Sequence, residues 1–224
     1  RLWSPARLDA ADDPADGGAK DHVELRRARE LLPLIESIDL LLDLHSLQQP
    51  SPPLILSGPH PKGVALARRV GFPGIIVSDA GHAAGTRLRD YGAFADPASP
   101  RNALLVECGQ HWARGTEQVA IETALRFLAT TGTIDTNLAA RFAAAGPTTP
   151  QRVIEVTEAV TVQSADFSFA TPYRGLEVIA RAGTEIARDG DRPIRTPYDD
   201  CVLVMPSLRL SPGQTAVRLG RYLA

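Results

Sequence analysis

The hydrophobic residues of this chain fall into short solid runs, separated by stretches with helical spacing. Residues 38–45 read IDLLLDLH, almost continuous Ile and Leu closed by a histidine near an aspartate, and the proline-rich SLQQPSPP follows at once. Three further apolar runs occur in PPLILSG (52–58), PGIIVSDAG (73–81) and NALLVECG (102–109). Between them lie helical patterns. DHVELRRARELLPLI (21–35) lets Val23, Ala28, Leu31 and Leu32 share one face, and Pro33 predicts a kink or an end. PKGVALARRVG (61–71) reads as a helix closed by Gly71, and EQVAIETALRFLAT (117–130) as an amphipathic helix. Apolar runs alternating with helices predict an α/β fold with a mostly parallel sheet covered by helices. Strands buried on both faces are apolar throughout rather than alternating.

The pattern changes at AAAGPTTPQ (143–151). Beyond it RVIEVTEAVTVQS alternates with period two, and short β-prone runs follow with frequent Gly, Pro and Asp. Two domains are expected: an α/β domain over 1–145 and a small all-β domain over 151–224. The opening RLWSPARLDAADDPADGG reads as irregular loop.

Composition narrows the function classes. The chain has 224 residues, 22% of them charged, with a formal net charge of -2. That leaves no strong field for nucleic acid or an anionic membrane surface, so neither is an expected partner. No apolar run approaches the ~18–20 residues of a membrane span. Cys108 and Cys201, the only cysteines, lie far apart, which argues against a disulfide framework and for a reducing cytoplasm.

Ligands of open α/β sheets bind where strands end at their carboxyl side. Two predicted strand ends carry reactive groups. Asp43 and His45 are two residues apart, so a strand places them on the same face. His45 reads either as a metal ligand, with Asp43 as the carboxylate that orients its ring, or as a satisfied core histidine. Glu107 closes a run of Ala, Leu, Leu and Val, where an ionised carboxylate costs several kcal/mol to desolvate unless paired or metal-bound. A structural ion pair is the alternative. Gly109 permits a sharp turn and the close approach of a ligand. Arg101 reads as a substrate-carboxylate or oxyanion binder, or equally as a solvated loop arginine. Cys108 with His111 reads as a buried residue beside a loop histidine rather than as a nucleophilic pair. His82 reads as a surface loop residue and Tyr198 as a turn residue.

Together RLWSPARL, VELRRARELLPLI, DLLLDLHS and ALLVECGQHW resemble consecutive blocks of the succinylglutamate desuccinylase/aspartoacylase family, over most of residues 1–130 and more loosely over 151–224. The resemblance implies a carboxypeptidase-like α/β fold with a C-terminal β domain, and zinc-dependent amide hydrolysis. His45, in Asp-Leu-His, stands where the family has its last Zn2+ ligand. Glu107, in Val-Glu-Cys-Gly, stands where the family has its catalytic glutamate, which takes a proton from water and passes it to the leaving nitrogen. Arg1 looks like the arginine of an Asn-Arg pair that binds the substrate carboxylate. The family's other zinc ligands come from a His-x-x-Glu motif upstream of that pair. The sequence holds no such motif and opens on Arg1 rather than Met, so loss of the N-terminal part is expected.

The expected function is therefore a cytoplasmic zinc hydrolase acting on a small molecule, an N-acylated amino acid or similar carboxylate. The alternative is an inactive fragment or pseudoenzyme that binds a ligand or partner. A truncated sheet with an exposed edge also predicts self-association into a homo-oligomer.

Overall fold

A computed structural model describes residues 3–8, 19–81, 85–142, 150–208 and 210–223. Helices α1 (Pro5–Leu8) and α2 (Ala19–Ser37) precede strand β1 (Leu40–Leu47). Strand β2 (Leu54–Leu56), helix α3 (Pro61–Val70) and strand β3 (Ile75–Ser78) follow. Two single-turn 3-10 helices (Leu88–Asp90, Gly92–Phe94) lead into β4 (Asn102–Gln110), then α4 (Arg114–Thr130) and α5 (Thr136–Arg141). The remainder is β5 (Arg152–Thr161), β6 (Phe167–Phe169), β7 (Val178–Ile179), β8 (Glu185–Asp189), β9 (Arg192–Arg195), β10 (Cys201–Val204) and β11 (Thr215–Tyr222). Each apolar run became a strand. The helix through Pro33 continues to Ser37 rather than ending there. It buries Ala28 and Ile35, whereas Val23 is exposed.

One eight-stranded sheet runs in the order β1-β4-β2-β3-β5-β11-β10-β7, and β6-β8-β9 form a second. From β1 to β5 every pairing but one is parallel; β2 and β4 are antiparallel. The exception follows from loop length. Only residues 48–53 separate β1 from β2, and a parallel return needs a crossover of about a dozen residues or more. The chain therefore steps over the end of β4 and reverses. Despite its solid apolar run, β1 ends the sheet's order, and Leu44 is 42% exposed. β4, β2 and β3 lie inside the sheet, and Leu54, Ile55 and Leu56 of β2 are all buried.

Of the expected boundary stretch 143–151, residues 143–149 lie outside the described residues. The sheet, however, is continuous across it: β5 pairs in parallel with β3 and antiparallel with β11. Being flanked on both sides, β5 buries adjacent Val153 and Ile154 rather than alternating strictly. The described residues from 150 onward contain strands and no α-helix.

Two cores sandwich the first part of the sheet. Ile55, Leu104, Val106 and Cys108 pack with Leu66, Ala67, Val70 and Phe127 of α3 and α4. On the other face Leu54, Leu56, Val77 and Leu105 pack with Val202 and Val204 of β10. Leu41 and Ala103 meet Ile35 of α2 there. A third core, including Val160, Ile186, Leu203 and Val217, joins the small sheet to the large one.

Gly58 marks a tight spot on this scaffold. Its φ is +73°, and a Cβ there would lie 2.0 Å from Arg89 Nη1. Arg89 is buried and paired with Asp90, so it has little room to yield. Gly58→Ala should lower stability by about 1–3 kcal/mol through overpacking and backbone strain. Urea denaturation checks this, and an unchanged midpoint would contradict the contact.

Candidate active site

The parallel register sets the site. His45 on β1 is paired directly with Glu107 on β4. Alternation from Leu41 and Leu105 puts Asp43, His45 and Glu107 on the same side of the sheet, although His45, at the strand end, borders a pocket with Cys108, Trp112 and Thr116 and not the cleft that Glu107 lines. The His45 ring is partly exposed, and its Nε2 lies 3.0 Å from Asp43 Oδ1. This carboxylate–imidazole contact fixes the orientation of the ring. Glu107 is only 6% exposed.

The proline-rich loop after β1 passes over the end of β4. His111 N donates to Leu47 O at 2.8 Å, and Gln110 Nε2 to Gln48 O at 3.2 Å. Ser46 Oγ and His111 Nδ1 are 2.7 Å apart. Beneath the loop is a cleft of about 410 Å³. Glu107, Gln48, Ser51 and His111 line one part of it; Arg174, Met205, Thr215 and Arg218 line the rest. The C-terminal strands thus supply a wall of the cleft. Gly109, with φ of +126°, bends the end of β4 under α4. A Cβ there would lie 2.8 Å from Thr116 Oγ1, so the close approach it permits is to the helix.

Other residues singled out in the sequence stand elsewhere. Arg101 immediately precedes β4, at the end opposite Glu107. Six residues of strand put them roughly 20 Å apart along the chain. Arg101 lines a separate cavity with Ile35, Glu36 and Tyr91, and its carbonyl accepts from Lys62 Nζ at 2.6 Å. The structure therefore does not bring it to the cleft. Arg1 and His82 lie outside the described residues. Tyr198 is in the bend just before the turn at Asp199 and Asp200, 2.6 Å through its hydroxyl from Thr157 Oγ1.

A group of buried charges had no clear signal in the sequence. Asp79, after β3, lies 3.1 Å from Arg87 Nη1 and 3.0 Å from Arg218 Nε. Asp90 pairs with both Arg87 and Arg89. Arg218, in TAVRLGRY, is flanked by Val217 and Leu219. It is 2% exposed and turned into the sheet's second face. Burial pulls its pKa below the ordinary guanidinium value; the carboxylate of Asp79 and, more weakly, that of Glu107 act the other way.

Among the described residues no group of three His, Cys, Asp or Glu side chains is placed to hold a metal ion. A catalytic zinc takes three protein ligands, and His45 with its Asp43 contact supplies one. The described residues alone do not make the site.

The architecture is carboxypeptidase-like α/β. No protein-family model matches the chain, and no curated protein matches it in sequence. Solved structures do. Succinylglutamate desuccinylase from Vibrio parahaemolyticus superposes with a TM-score of 0.64 at 16% identity, over 100% of this chain and 64% of that one. Murine aminoacylase 3 gives 0.62 at 17%, over 100% and 76%. A succinylglutamate desuccinylase/aspartoacylase from Rhodobacter sphaeroides gives 0.61 at 15%, over 89% and 64%. The chain has the fold of these proteins and spans just under two thirds of the length of the Vibrio structure. No helix among the described residues is long and apolar enough to cross a membrane.

Cys108, beside Glu107, is buried, and burial followed by the Glu107 charge pushes its thiol up to about 11. It is therefore no nucleophile near neutral pH. Its folded pKa exceeds its unfolded one, so stability should fall as pH rises from about 9 to about 11. In Cys108→Ala the slope of the urea midpoint against pH should be shallower in that window. Equal slopes would show that the thiol is not held protonated.

Proposed function

We propose that this chain is the greater part of a hydrolase that cleaves the amide or a related bond of an N-acylated amino acid or similar small carboxylate. The observation that carries this is Glu107: a buried carboxylate at the carboxyl end of β4, on the wall of a cleft, in register with His45. A carboxylate so placed can take a proton from an attacking water and return it to the leaving nitrogen. Arg174, on the same cleft, offers a cation to a substrate carboxylate. The fold shared with succinylglutamate desuccinylase and aminoacylase 3 structures supports the reaction class. Zinc belongs to the proposal as the cofactor, with His45 as one of its ligands and the others coming from beyond the described residues. Arg1 belongs to it as a substrate anchor. The lack of a three-ligand group among the described residues favours a second reading, a non-catalytic ligand-binding fragment.

The experiment uses the full gene product and a panel of N-acyl amino acids, with zinc content measured on the same samples. Turnover is expected. Glu107→Gln should lower kcat by about 10²–10⁴-fold while zinc stays bound. His45→Ala should lose zinc, because it deletes a ligand. Near-normal kcat in Glu107→Gln would make Glu107 structural. No turnover of any substrate by the zinc-loaded parent would favour the second reading.

A further inference from the structure

The buried charges of the second sheet face form a balanced set. Asp79 and Asp90 pair with Arg87, Arg89 and Arg218, and Glu107 lines the same cleft as Arg218, so three acids stand with three arginines. All but Asp90 are less than a tenth exposed. Charges this deeply buried persist only when paired, so each removal leaves an opposite charge uncompensated. Arg218 holds the pivotal place. Its Nε is committed to Asp79, after β3, and it also lines the cleft that Glu107 lines from β4. β3 and β4 run in opposite directions, on either side of β2. Arg218 comes from neither; β11 carries it to both.

We infer that Arg218 is the positioning residue for Glu107: braced by Asp79, its guanidinium holds the Glu107 carboxylate against the cleft wall and ties the C-terminal strands to the site. The catalytic meaning of this rests on the proposed hydrolase reading; the coupling itself does not. A guanidinium suits the task because it can bridge two carboxylates in fixed geometry, which an ammonium cannot.

Two measurements on the 224-residue chain test the coupling without turnover. The first is thermal unfolding of Arg218→Met, Glu107→Gln and their double variant. Arg218→Met strands the Glu107 charge, so adding Glu107→Gln should recover part of the lost Tm. Additive losses would overturn the inference. So would recovery that follows Asp79→Asn and never Glu107→Gln, since Arg218 would then serve Asp79 alone. The second keeps Arg218 in place, in case Arg218→Met does not fold. Nitrogen-15 NMR of the arginine side chains should show hindered Arg218 Nη rotation in the parent and faster rotation in Glu107→Gln. An Arg218 signal unmoved by Glu107→Gln would overturn the inference even in an active hydrolase. A Glu107-dependent Arg218 signal in a chain that hydrolyses nothing would leave the coupling standing and sink only the proposed reaction.

Discussion

Parallel hydrogen bonding between β1 and β4 sets what the rest of the molecule can do. It fixes His45 opposite Glu107, and the two-residue alternation of a strand then puts both, with Asp43, on one face. A slip of one residue in either strand would send one of the pair to the face packed against α3 and α4. That register is held by burial. Val106 and Cys108 pack on one side of β4 and Leu105 on the other, so the strand cannot shift without exposing apolar surface. Full burial of one such side chain is worth about 1.5–3 kcal/mol. The short loop over residues 48–53 follows from the same pairing: having crossed the end of β4, it must reverse, and in doing so it forms one side of the cleft.

Electrostatics supplies the second constraint. A face carrying Glu107, Asp79, Arg87 and Arg218, each nearly out of contact with water, is stable only if the signs balance. Balance is reached by bringing Arg218 from the far end of the chain. The C-terminal strands are therefore part of the cleft's construction. Their apolar residues complete the core over Leu54, Leu56 and Leu105, and their arginine completes the charge set.

The α/β class and each apolar strand of the first 110 residues were legible because solid runs of Ile, Leu and Val have few other uses. His45, Asp43 and Glu107 stood out as candidates because each is a polar group within or at the end of such a run. What could not be read was anything dependent on neighbours distant in sequence. The position of β1 at the end of the sheet's order depends on pairing, not on its own composition, which looks like that of a central strand. Arg101 stood out for its nearness to Glu107 in sequence, yet a strand separates what it connects. Arg218 carried no mark in the sequence, because alternation tells faces apart without saying which is covered. The continuity of the sheet from β3 to β5 was hidden for the same reason: a half-buried strand pattern does not name its partner.

If the β1–β4 register builds the reaction centre, metal and product must meet where it places His45 and Glu107. The most direct measurement is a crystal structure of the full gene product with zinc and the amino acid product, with anomalous data at the zinc edge. Zinc is expected at about 2.0–2.1 Å from a His45 ring nitrogen, with product in the cleft beside Glu107. Zinc bound away from His45, or product seated outside that cleft, would contradict it.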